Sequence, residues 1–351
     1  MTYIAKPKVH HPSLQKNALG LTRRDYEGAI TTLCAGCGHD SITAAIIQAF
    51  WELSVPPHTV AKLSGIGCSS KTPAYFLREA HGFNAVHGRM PAIATGAGAA
   101  NGSLMMIGVS GDGDSLSIGL GQLSHAIRRN VNILYLLENN GVYGLTKGQF
   151  SASADPGSTS KKGEVNTMEA IDGVLLALTL GATFVARSFS GDKAQLVPLI
   201  QAGLAHKGFA FIDVISPCVT FNDHEGSTKS YAYTREHQVE VVQADFIAPR
   251  EEITSEQDAG TVKSVMLHDG SWVKLHKVAD SYDPTDRDRA YAYIRERQKA
   301  NEVLTGLLYI SSDSKDMVEQ NELVDQPLHS LPFGLLCPGS AELEKLQARF
   351  R

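Results

Sequence analysis

The hydrophobic positions follow two rhythms. Residues 104–110 (LMMIGVS) and 131–137 (VNILYLL) are near-continuous apolar runs of strand length, the pattern of parallel strands covered on both faces. Between them Leu116, Leu120, Leu123 and Ile127 recur at helical spacing. The segment reads as a βαβ unit with a right-handed crossover. Upstream, Asp40 or Ser41 can cap a helix whose buried stripe is Ile42, Ile46, Phe50 and Leu53. A short strand is expected at 59–63, and Pro91 opens a helix of small residues, ATGAGAANGS. Further strands are expected at 182–186 and 209–215, with a helix between them that Pro198 kinks or delays. This alternation predicts an α/β fold with a doubly wound, mostly parallel sheet.

Beyond about residue 240 the character changes. Runs 261–268 and 271–278 flank Asp269-Gly270, the chemistry of a hairpin turn. A charged helix is expected over 286–304, and 311–326 is acidic and poorly periodic. Residues 1–24 show no periodicity and suggest an arm laid over something larger. The expected organisation is an N-terminal arm over 1–24, a main domain over 25–240, and a C-terminal extension over 241–351 that makes subunit contacts. A length of 351 residues, at roughly 150 per domain, suits one large α/β domain with an extension.

Composition narrows the function. With 32 basic against 37 acidic residues the net charge is −5, and adjacent basic residues occur in isolated pairs such as Arg128-Arg129 and Lys161-Lys162. Neither a nucleic-acid footprint nor a membrane-binding patch is expected. The apolar stretch 174–180 falls far short of the ~20 residues that cross a bilayer, and 1–16 contain no apolar signal core. A cytoplasmic location is expected. Five cysteines are too few for a secreted disulfide scaffold, so their pattern should be read as chemistry.

The first cluster of chemistry is Gly111-Asp112-Gly113-Asp114, directly after a central strand, with Asn139-Asn140 directly after the next. Open α/β sheets bind ligands at such strand ends. Asn140 follows Asp112 by 28 residues, room for one helix and one strand. Turn glycines admit phosphate to the backbone, and an Asp carboxylate with an Asn amide oxygen offers the hard oxygens that Mg²⁺ takes beside substrate phosphates. A lone GDG is usually only a turn; the Asn pair one βα unit later makes it a site. Gly96-Ala97-Gly98 superficially suggests a dinucleotide fingerprint, but Pro91 opens that segment and the third glycine falls at 102, one residue late.

The second cluster is cysteine. Cys34-Ala35-Gly36-Cys37 alone could be a metal pair, a redox disulfide or chance, and Gly38 before His39 argues against haem attachment. Cys68 lies in the loop SGIGCSSKTP and Cys218 follows the strand at 209–215. Four thiolates could bind Zn²⁺ or an iron–sulfur cluster, although a structural zinc site typically shows a second C-x-x-C pair. Cys337 reads as an ordinary thiol, and His125 as a structural histidine on the crossover helix.

GDGD with NN 28 residues on resembles the thiamine-diphosphate motif, which implies Asp112, Asn140 and the Val142 carbonyl as Mg²⁺ ligands and Gly113 on the diphosphate. Together CAGCGH, SGIGCSSKTP, HGR, GDGDSLSIG, ENNGVYGLTKGQ and SPCVTF, spread over 33–221, resemble the thiamine-diphosphate (beta) subunit of the 2-oxoacid:ferredoxin oxidoreductases, most of all the 2-oxoglutarate enzymes. The resemblance implies one [4Fe–4S] cluster on Cys34, Cys37, Cys68 and Cys218. It also places Ile66, Gly67, Cys68, Ser69, His87, Gly88, Asp114, Gly144 and Leu145 on the cofactor and makes Lys71 a contact for the oxoacid; without the motif Lys71 would pass for a surface lysine. The implied reaction is reversible, coenzyme A-dependent oxidative decarboxylation to an acyl-CoA and CO₂, with electrons passing to ferredoxin. In the family a carboxylate on a separate alpha chain activates the cofactor, and no glutamate here sits in a motif for that task. An (αβ)₂ assembly is therefore implied. Pyruvate or branched-chain oxoacids share these motifs, and a non-redox thiamine-dependent decarboxylase would need the first cluster without the second.

Overall fold

Among the described residues, one sheet is built from β1 (Val60–Ser64), β2 (His81–Asn84), β3 (Met105–Gly111), β4 (Ile133–Asn139), β7 (Phe184–Phe189), β8 (Phe209–Ile215), β9 (Gln238–Ile247), β10 (Val262–Met266), β11 (Trp272–Lys277) and β12 (Val303–Ile310). Its ten strands lie in the order β10-β11-β9-β12-β7-β8-β4-β3-β1-β2. A small hairpin, β5 (Val142–Tyr143) with β6 (Gln149–Phe150), stands apart. The computed structural model describes residues 11–160, 162–247, 262–266, 272–277, 282–337 and 339–350. From β7 to β2 every neighbouring pair is parallel, whereas β12 runs antiparallel to β7 and β9–β11–β10 form an antiparallel ribbon. The sheet is thus doubly wound and mostly parallel.

Helices cover both faces. α1 (Gly38–Glu52) packs on α5 (Lys193–Ala205), while α2 (Met90–Ala100), α3 (Leu120–Arg128) and α4 (Gly173–Leu180) pack in turn on the other side. The remaining helices are α6 (Tyr231–His237), α7 (Arg287–Lys299), α8 (Met317–Gln320), α9 (Phe333–Leu336) and α10 (Ser340–Ala348). The central strands β4 and β8 are buried at every position. Burial at both faces explains their unbroken apolar runs, and makes their charged members, Glu138 and Asp213, the residues that need an explanation.

Several local expectations are corrected. α1 starts at Gly38, with Cys37 in the N-cap position, so the C-x-x-C pair sits on the helix entrance and Asp40 lies in the first turn. Asp40 accepts from Thr31 Oγ1 at 2.7 Å instead of capping. The crossover after β3 begins as a π-helix, Gly113–Ile118, closed by Gly119 N–H donating to Asp114 O at 2.8 Å. α5 runs through Pro198 without delay, started by Asp192, whose carboxylate accepts from Gln195 N–H. The helix expected over 286–304 stops at Lys299, because Asn301 adopts the left-handed conformation (φ 59°) that ends helices. Val303–Ile310 becomes β12, and the 240/241 boundary falls inside β9. β2 (HGFN) has no hydrophobic alternation because it is the exposed edge strand. The strands of the expected hairpin pair antiparallel, Val262 opposite His276; its Asp269-Gly270 turn lies outside the described residues. In the described part of the arm, Asn17 Nδ2 donates to Tyr26 Oη and to Trp51 O, so this part docks on α1 of its own chain.

Candidate active site

The adjacent parallel strands β3 and β4 deliver their carboxyl ends to one place. Asp112 leaves β3 fully buried, and its Oδ2 accepts from Gly141 N–H at 2.8 Å and from the hydroxyls of Ser151 and Ser153, each at 2.5 Å. These partners are all neutral. Burial pushes the Asp112 carboxyl up, with the hydroxyls and amides opposing it. Among the described residues, no lysine or arginine pairs with this carboxylate. Asn140 is buried, and its Oδ1 accepts from Val142 N–H at 3.1 Å, which holds the β5 turn. Gly113 has no room for a side chain, since a Cβ there would run into the Tyr143 ring, whose hydroxyl donates to Gly113 O.

Asp114 performs a different task. Its Oδ1 accepts from Gly88 N–H and its Oδ2 from Ser110 Oγ, each at 2.7 Å, and the buried chain continues through Ser115 to Tyr135. A Cβ at Gly65 would collide with the Asp114 carboxylate. Asp114 therefore pins the 65–69 loop and the Gly88 turn against β3. His87 beside that turn is exposed, as is His125 on α3.

Cys68 begins the 3₁₀ turn Ser69–Ala74 that follows β1 and the 65–67 loop. Cys37 stands at the entrance of α1 and Cys218 just beyond β8. A Cβ on Gly144 would lie 3.5 Å from Cys68 Sγ and 3.6 Å from Cys218 Sγ, so both sulfurs face one point. Cys34 belongs to the same group: Thr220 Oγ1 donates to its Sγ at 3.6 Å, and it is near enough to Cys68 and Cys218 to help raise both. Burial pushes the Cys37 thiol up to about 12, with Glu138, Cys218 and Cys68 adding to the rise. Cys68 and Cys218 are also raised, first by burial. Lys71, half-buried on the Cys68 turn, works the other way on Cys68. Cys337 is exposed on the tail, and all five cysteines are free thiols.

Among the described residues, no three His, Cys, Asp or Glu side chains converge tightly enough to hold a single metal ion. A four-iron cubane is itself several ångströms across, so its thiolates stand farther apart than the ligands of one ion. Four thiols gathered at one place have the donor chemistry for a cluster.

The two clusters meet in a single pocket. Its wall includes Ile66, Gly67, Cys68 and Ser69 from the loop after β1, Asp112, Gly113 and Asp114 from the turn after β3, and Asn140, Val142 and Gly144 from the segment after β4. Cys34, Cys37 and Cys218 lie outside that wall, as do Lys71, His87, Gly88 and Leu145. Sequence reasoning missed His39 and Tyr143 in the wall, the serines 151 and 153 behind it, and the fully buried Glu138 below it. His39 lies in CAGCGH and Glu138 and Tyr143 in ENNGVYGLTKGQ, but the motifs assign them no role, and nothing local marks the two serines.

Comparison with known proteins bears on this geometry. Residues 65–214 match the thiamine pyrophosphate enzyme, C-terminal TPP binding domain. The chain is similar to the 2-oxoacid:ferredoxin oxidoreductase subunit beta of Saccharolobus solfataricus, 34% identical over 83% of this chain and 96% of that protein. It is 40% identical to the 2-oxoglutarate oxidoreductase subunit KorB of Mycobacterium tuberculosis, over 60% of this chain and 58% of that one. The fold superposes on a 2-oxoglutarate:ferredoxin oxidoreductase from Magnetococcus marinus, solved with 2-oxoglutarate, coenzyme A and succinyl-CoA bound, with a TM-score of 0.71 and 29% identity over 88% of this chain and 91% of that one. A thiamine-diphosphate domain that spans the pocket, joined to a relative matched along nearly its whole length, places this chain in the beta-subunit family of the 2-oxoacid:ferredoxin oxidoreductases.

Proposed function

We propose that the chain is the beta subunit of a 2-oxoglutarate:ferredoxin oxidoreductase that converts 2-oxoglutarate and coenzyme A reversibly to succinyl-CoA and CO₂ and passes the electrons to ferredoxin. The observation that carries the reading is the shared pocket: Cys68 of the thiol group and Asp112 of the metal–diphosphate site stand in one wall. Asp112, Asn140 and the Val142 carbonyl would hold Mg²⁺, and the amides around Gly113 would meet the diphosphate. Cys34, Cys37, Cys68 and Cys218 would hold one [4Fe–4S] cluster. When bound, thiamine diphosphate supplies the electron sink for decarboxylation, and the cluster supplies a one-electron acceptor that zinc could not be.

The chain's own residues supply position and charge. The buried carboxylate of Asp112 is kept in place by neutral donors, which leaves its charge for a cation. Lys71 offers the substrate carboxylate a counter-charge beside Cys68. Ile118 and Leu145, exposed at 43% and 49%, rim the strand ends where an alpha subunit would close the site and bring the activating carboxylate. In the C-terminal extension, Phe333, Leu335 and Phe350 are at least 73% exposed, which suits the expected role in subunit contacts within (αβ)₂. No described helix is long and apolar enough to cross a membrane, which is compatible with a cytoplasmic enzyme.

The test is reduction of ferredoxin or viologen by the chain with and without an alpha subunit, with coenzyme A and each oxoacid in turn. Turnover should need the partner and be fastest with 2-oxoglutarate. Faster turnover of pyruvate would refute the substrate while leaving the reaction class, and robust turnover by the isolated chain would refute the shared site.

A further inference from the structure

Asn139 and Asn140 stand side by side, yet the cofactor reading uses only Asn140. The structure shows what Asn139 touches. Its Nδ2 donates to Asp213 Oδ1 at 3.0 Å, and its Oδ1 lies 2.9 Å from Ser153 Oγ. Asp213 on β8 is paired in register with Arg187 on β7, whose Nε donates to Asp213 Oδ2 at 3.0 Å. The other arm of that guanidinium donates to Asp172 at 2.8 Å, and Asp172 in turn caps α4 and accepts from Gln298 of α7 at 2.6 Å. Asp213, Arg187 and Asn139 are nine-tenths buried or more. The charge-assisted Asp172–Arg187–Asp213 triad is rigid, because moving Arg187 or Asp213 strands a buried charge.

Ser153 ties this triad to the pocket. Its oxygen is 2.5 Å from Asp112 Oδ2 as well as 2.9 Å from Asn139 Oδ1, and it is itself buried. A hydroxyl has one hydrogen and two lone-pair sites, so Ser153 shares a single proton between carboxylate and amide. With Ser151, Ser153 and Gly141 N–H all converging on Oδ2, the orientation of the carboxylate is set through that one oxygen.

Resting on the cofactor reading above, we infer that Ser153, held by Asn139 on the Asp172–Arg187–Asp213 triad, is a positioning residue that fixes which oxygen of Asp112 meets the cofactor's metal. Asn139 is then a strut and not a ligand. The alternative is that these side chains only satisfy one another in the core.

The experiment is calorimetric titration of Mg²⁺ into the full chain with thiamine diphosphate, alongside the thermal midpoint of each variant. Ser153→Ala should raise the half-saturating Mg²⁺ by about tenfold, the low end for a hydrogen bond to a charged group, without a matching fall in the midpoint. Ser153→Thr, which keeps the hydroxyl, should restore it. Asn139→Ala should also raise the Mg²⁺ requirement, and combining it with Ser153→Ala should add little, since both act through one contact. Ser153→Ala titrating like the parent would overturn the inference. So would Asn139→Ala tightening Mg²⁺, since that is what freeing the shared proton for Asp112 alone would do. If the parent itself took up no thiamine diphosphate with Mg²⁺, the cofactor reading would fail instead, so the two failures are distinguishable.

Discussion

Glu138 Oε2 lies 3.5 Å from His39 Nδ1 with both side chains out of solvent, directly under the strand end that carries the two asparagines. The spacing suggests an ion pair, but burial works against both charges: it raises the Glu138 carboxyl well above the usual range and lowers His39 to about 4. Thr72 Oγ1 at 3.1 Å from both oxygens, and Ser216 Oγ at 2.6 Å from His39, complete the network. Glu138→Gln should therefore cost less than about 1.5 kcal/mol, whereas Glu138→Ala, which strands Thr72 and opens a cavity, should cost about 2–4 kcal/mol. Urea unfolding of the two variants checks this; a glutamine as damaging as the alanine would mean that the carboxylate is ionised.

Lys62 on β1 gives a pH signature. Its ammonium is buried beneath the 3₁₀ turn, donates to the carbonyls of Phe76 and Leu77 at 2.6 and 2.8 Å, and lies 5.4 Å from the Phe76 ring centre. Burial lowers it from the ordinary 10.5 to about 8. Between those values the unfolded chain binds more protons than the folded one, so stability rises with pH across that window. Relative to Lys62→Met, the parent should gain stability from pH 8 towards pH 10, read by urea unfolding at each pH. A constant gap would contradict the lowered value.

Iron analysis tests the thiol group. Anaerobically prepared chain should carry about four irons, Cys337→Ala should leave that number intact, and Cys68→Ser should lose the visible absorption of the cluster. Stoichiometric zinc in the same preparation would sink the assignment.

The metal–diphosphate site is tested at Asp112. Asp112→Ala should abolish Mg²⁺-dependent binding of thiamine diphosphate, because a diphosphate held without its metal has no cation to screen it. Calorimetry showing unchanged affinity would reduce the GDGD turn to a structural element.

The sheet-forming part of the chain was legible because doubly buried strands have a signature that local sequence can carry: β3, β4 and β8 are mostly apolar runs, and the turns after them bear Asp112, Asn140 and Cys218. The motifs also marked their chemistry, since glycine, carboxylate, amide and thiol are needed there whatever surrounds them. Edge and late strands were not legible, as β2 buries no side chain and β12 is separated from the α7 pattern only by a left-handed Asn301. What only the tertiary structure decided is which residues stand behind the ligands. Asp213 and Arg187 are single charges inside apolar strands, and Ser153 is one serine in a loop; nothing near them in sequence pairs them. Strand register puts Arg187 opposite Asp213, the β4–β8 pairing brings Asn139 within reach of Asp213, and the loop after β6 folds Ser153 onto Asn139. The burial energy of the whole sheet holds those neighbours together, and no local segment contains that energy.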